Sequence, residues 1–111
     1  MLEMPEIAVL EGDAAQVTIP WHDFDVVPET PTAVRYQVFD HYTKVAVSDI
    51  VDVPTPASTT VFIVPGSDLP ASATSFARRR LILQVEAEFS GATDIKTTQG
   101  YVVVLKRLEF S

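Results

Sequence analysis

The sequence predicts an all-β protein, an antiparallel β-sandwich of about seven strands, on three observations. Arg80–Phe89 alternates strictly on one side: Leu81, Leu83, Val85, Ala87 and Phe89 are apolar. Of the residues between them, only Ile82 is not polar. Strand side chains alternate between faces, so this segment has one buried and one mostly wet face and reads as a central strand. Second, short runs rich in Val, Ile, Thr and aromatics recur with turn residues about every 8–12 positions. Third, no amphipathic helical period of useful length competes with them. At 111 residues the chain holds one domain with one core.

Each element follows from local chemistry. Residues 1–15 form an N-terminal arm or first strand, with Glu6–Leu10 as the extended part and Glu11-Gly12-Asp13 as the turn after it. Gln16–Trp21 alternates with Val17, Ile19 and Trp21 on one side. Pro20 has no amide hydrogen to donate, which places this strand partly at an edge. His22–Thr32, broken by Asp23, Asp25, Pro28 and Pro31, is a loop. Thr32–Asp40 is a strand with Val34, Tyr36 and Val38 inward. His41–Lys44 connects it to a partner strand, Val45–Val53, which Pro54 and Pro56 end. Ser58–Val64 is a further strand, Val61 and Ile63 on one face and Phe62 and Val64 on the other. Pro65–Ser75 crosses between sheets, with a short helical turn at Ser67–Pro70. Arg78–Phe89 follows. Ser90–Thr93 makes a hairpin turn, and Asp94–Leu108 is the last strand, with a bulge expected at Gly100.

Composition narrows the function classes. The net charge is −7, which argues against a general nucleic-acid binder, because phosphates are neutralised by clustered Lys and Arg. The charge is polarised: residues 1–55 carry ten acids and two bases, residues 56–111 five acids and six bases. With no cysteine there is no disulfide, thiolate metal site or cysteine nucleophile. The acidic start, Met1–Glu6, lacks the pattern of a signal peptide, and no apolar run is long enough for a membrane helix, so a product made in the cytoplasm without membrane attachment is expected.

Several landmarks resemble an immunoglobulin-like or fibronectin type III domain: Trp21 ending VTIPW, Tyr36 in VRYQVFD, LILQVEA followed by SGA. Two departures stand out. Leu81 occupies the place of that family's corner tyrosine, and there is no cysteine pair. The frame VTIP, PTAVRY, STTVFIVP and RLILQVEA, ending in a hydrophobic strand with Lys106, also resembles small immunoglobulin-like structural proteins of tailed bacteriophages and prophages. That resemblance implies a virion component at a head-decoration, head–tail or tail-associated position. It would bind other virion proteins or copies of itself as a homo-oligomer, with no cofactor, nucleic acid or membrane.

The candidate contact surface is the last strand. Tyr101, Val103 and Leu105 alternate with Val102 and Val104, so both faces are apolar. Either Val102, Val104 and Ile82 form a patch that a partner covers, or Leu2–Leu10 folds over them. Arg78-Arg79-Arg80 is the basic cluster, able to meet an acidic partner or to extend into water; Arg78 and Arg79 join the candidate interface. Catalytic and metal readings are weaker. His22-Asp23-Phe24-Asp25 lacks a full ligand set, Asp40-His41 reads as turn chemistry, and Glu86 and Glu88 are spaced as any alternate strand pair is, about 7 Å apart. A non-enzymatic protein is expected, with no catalytic, metal or cofactor residue. Trp21, Phe24 and Tyr42 offer an aromatic platform for sugar, the alternative to assembly, although Trp21 shares the inward parity of Val17 and Ile19.

Overall fold

A computed structural model describes residues 2–3, 6–22, 27–70, 78–89 and 94–105. The expected Ser90–Thr93 turn, the Asp23–Asp25 carboxylates, the later crossover and the strand tail past Leu105 lie outside these. The described strands are β1 (Leu2–Glu3), β2 (Ile7–Leu10), β3 (Ala15–Pro20), β4 (Ala33–Asp40), β5 (Val51–Asp52), β6 (Thr59–Val64), β7 (Arg78–Phe89) and β8 (Asp94–Leu105). One turn of 3-10 helix, Gly66–Asp68, follows β6.

The fold is the all-β sandwich that the pattern predicts. A mixed six-stranded sheet runs β1-β8-β7-β4-β5, with β2 also on β8, and β3 pairs with β6 in a second, two-stranded sheet. Inward residues of both sheets form one core: Val17, Ile19, Phe62 and Val64 from the smaller, Val38, Leu81, Leu83, Val85 and Val102 from the larger. Trp21 closes it, edge-on to Phe89 at 5.9 Å between ring centroids. Its indole Nε1–H donates to Thr60 Oγ1 at 3.1 Å, so the buried ring leaves no polar atom unpaired. Tyr36 stacks on Phe62 at 5.2 Å across the two sheets.

The long antiparallel pairing of β7 with β8 fixes the facing of every residue in both strands. Leu81 lies opposite Val102, Leu83 opposite Gly100 and Val85 opposite Thr98 on the core face; Arg80 lies opposite Val103 and Ile82 opposite Tyr101 on the outer face. The expected bulge at Gly100 is absent, since pairing proceeds residue by residue through Gln99, Gly100 and Tyr101. Gly100 keeps the ladder and simply puts no side chain on the core face beside Leu83.

The expected strand Val45–Val53 is broken. Asp40 N–H donates to Val45 O, Phe39 bridges Ala46, and Val47 N–H donates to Val38 O. Beyond that, Tyr36 opposes Val51 and Val53 N–H donates to Val34 O, a register two residues further on. The offset is absorbed around Ser48, whose hydroxyl accepts from Val38 N–H at 2.9 Å in place of a ladder carbonyl. β5 is therefore only Val51–Asp52. At the turn after β2, Gly12 takes φ 88°, open to glycine without strain. Gly66 packs so close to the Gly12 carbonyl that a Cβ there would collide with it.

Candidate functional site

The residues singled out from sequence do not form one surface. Val102 and Val104 are each 1% exposed and face the shared core. Ile82 points the other way, half-buried on the outer face between Phe39 and Tyr101 in the ladder. The idea of a patch joining all three is overturned by register: residues 82 and 102 are of opposite facing. Nor does the N-terminal segment lie over Val102 and Val104. β2 pairs parallel along the edge of β8, Ile7 to Val102 through Leu10 to Leu105, with Ile7 and Val9 packing on the core rim.

The arginine run is likewise divided between faces. Arg78 stands opposite Leu105 in the ladder. Arg79 sends Nε and Nη2 to Asp40 Oδ1 at 3.1 and 3.0 Å. Arg80, on the other face, lies 4.5 Å over the Tyr101 ring and pairs with Glu6 at 3.1 Å. Alternation makes a contiguous basic patch from three successive strand residues impossible.

Asp40 organises the turn after β4. Its Oδ2 accepts from the amides of Tyr42 and Thr43 at 3.0 and 2.8 Å and from the Thr43 hydroxyl. The Thr43 amide, with the Arg79 guanidinium and the other donors, holds this carboxyl down to about 2 against the opposing effect of burial. The turn ends at Lys44, in the left-handed region at φ 62°, and presents Tyr42 81% exposed. Asp40-His41 is thus turn chemistry, as its position implied. Glu86 and Glu88 both pair with Arg35, whose own pKa they raise, Glu86 first. No group of metal-ligating side chains forms among the described residues. Buried Trp21 offers no platform to a sugar.

A different surface stands open: the free edge of β6. Trp21 N–H donates to Ser58 O at 2.8 Å, which fixes the hydrogen-bonding phase of the β3–β6 ladder. In an antiparallel pair, hydrogen-bonded and non-bonded positions alternate. The inward pairs, Ile19 with Thr60 and Val17 with Phe62, are therefore bonded to each other. The amides and carbonyls of Thr59, Val61 and Ile63 aim away from β3. Among the described residues no strand and no loop backbone group meets them. The side chains of Val61 and Ile63 are 45% and 64% exposed beside them.

Along this edge runs a cleft of about 470 Å³ between β6 and the segment that includes β5, lined by Tyr36, Val51, Val53, Pro54, Phe62 and Ile63 among others. Tyr36 donates its hydroxyl to Asp68 Oδ2 at 3.3 Å, and burial with that carboxylate pushes it up to about 12. It stays neutral and fixes the cleft floor. Residues 53–67 carry no charged side chain, the longest such stretch in the sequence and the signal in it that marks this edge. The pattern-based reading put Val61 and Ile63 on one face and Phe62 and Val64 on the other and attached no role to either; the structure makes the first face the outer one. No family model, curated protein or solved structure matches the chain.

Proposed function

We propose that this protein is a non-enzymatic structural module that works by binding other protein subunits, and that the free edge of β6 is where it binds them. The observation that carries the reading is an uncharged, strongly strand-forming edge whose backbone groups meet no partner among the described residues and whose flanking Val61 and Ile63 are exposed. Such an edge is a template for another strand, and proteins that do not use one normally blunt it with charge, proline or a covering element. The resemblance of the sequence frame to small virion proteins of tailed phages agrees with a particle component built by contacts of this kind. Backbone pairing would supply the affinity and the cleft the selectivity.

The test compares the wild type with Val61→Lys/Ile63→Lys, by light scattering across micromolar to near-millimolar protein and by titration with extended peptides. Association through the edge that the lysine pair abolishes, while the melting transition stays cooperative, is the expected result. Association that survives the lysine pair places the docking surface elsewhere. A wild type that neither associates nor takes up an extended chain overturns the proposal.

A further inference from the structure

Resting on that reading, we infer that the β6 edge accepts a strand donated by another subunit: extended, free of acids, and apolar at every second position. Among the described residues the smaller sheet has two strands against six in the larger. Tyr36 and Val51, opposed in the β4–β5 ladder on the core face, line the cleft beside β6 together with Val53. That is the place where a third strand of the smaller sheet would lie, and Val51 remains half-buried there, packed only on the core's rim. A strand hydrogen-bonded to Thr59, Val61 and Ile63 turns alternate side chains into this cleft and the rest outward beside Val61 and Ile63.

The same geometry decides between a donated strand and the β6 edge of a second copy. Two β6 edges could pair, but the inward side chains of each, Thr60, Phe62 and Val64, are already buried in their own core. They would leave both clefts unfilled. Only a segment whose inward side chains are free fills the space. Its charge is set by the lining: among the described residues Asp52, at the rim opposite Arg35 in the β4–β5 ladder, is the one charged residue there, and no base lines the cleft. An acid in the donated segment would find no counter-charge, whereas a flanking Lys or Arg meets Asp52 and suits a chain of net charge −7.

The probe is a blocked synthetic peptide, Lys-Val-Thr-Val-Thr-Val-Lys, titrated into isotope-labelled protein and followed by amide chemical shifts. Expected are shifts confined to Thr59–Val64 and Val51–Val53. Replacing the three valines by serine should weaken binding at least tenfold, and replacing both lysines by glutamate about fivefold at low salt. Methylating the alternate peptide nitrogens that face β6 should abolish it. If the serine or glutamate peptide binds as well as the parent, the inferred partner chemistry is wrong while the edge remains a docking site. If no peptide binds but the protein self-associates through the edge, as judged by its loss in Ile63→Lys, the occupant is a second copy and the inference falls. If neither occurs, the inference and the proposed function fall together.

Discussion

Strands β8 and β6 both carry consecutive apolar residues, and the fold treats them in opposite ways. In β8 the run Val102-Val103-Val104 is buried on both faces, and its outer edge is closed by β2 of the same chain. In β6 the run Val61–Val64 is buried on one face only, and its edge away from β3 is left open among the described residues. A double-sided apolar strand by itself therefore does not mark an interface. What matters is whether the chain itself supplies the neighbouring strand.

The contrast breaks most sharply at Val102. A Val102→Asp substitution puts a carboxylate into the sealed core, and a loss of more than about 4 kcal/mol is expected, enough to leave the domain unfolded by circular dichroism. A folded, cooperatively melting V102D protein would return β8 to the list of surfaces. Leu83→Ala, on the same core face of β7, should cost about 2–5 kcal/mol in denaturant unfolding through lost contacts and the cavity left behind.

Asp40 gives a smaller and pH-dependent effect. Its folded pKa lies below the ordinary value of 3.8, so its contribution is complete above about pH 4 and is lost as pH falls towards 2. Urea midpoints measured between pH 7 and 2 should drop in that window. Asp40→Ala should remove this part of the drop and cost about 1–3 kcal/mol at neutral pH, since it leaves Arg79 and the turn amides without their acceptor. Equal pH profiles for the two proteins would show that the carboxylate is not what holds the turn.

The smallest stability effect belongs to β6. Val61→Lys and Ile63→Lys change exposed side chains and should alter unfolding free energy by no more than about 0.5 kcal/mol each. Their effect should appear in binding instead. Amide exchange sharpens the point: Val61 and Ile63 should exchange far faster than Thr60 and Phe62, whose amides are held by β3. Uniform protection along β6 would mean that the edge is covered.

Much of this was legible from residue order. The alternation of β7 placed Leu81, Leu83, Val85, Ala87 and Phe89 correctly, Pro20 marked a strand with an open side, and Trp21 followed the parity of Val17 and Ile19 into the core. That Ile82 and Val102 face opposite ways was not recoverable, because facing within a strand is local but facing between strands depends on register. Register also hid the two-residue offset at Ser48, where a side-chain hydroxyl replaces a ladder acceptor. The arginine run shows the same limit. Alternation separates Arg79 from Arg80, but only the fold brings Asp40 to one and Glu6 and Tyr101 to the other.

By itself, then, the sequence determined the all-β class, the boundaries of β3, β4, β6 and β7 to within a few residues and the buried face of β3, β4 and β7. These follow from the two-residue period of strands and the cost of burying polar groups. Only the tertiary structure decided which edges are paired and which stay open. An edge is defined by the absence of a neighbour, and neighbours distant in sequence, such as β2 and β8, are chosen by how the whole chain packs.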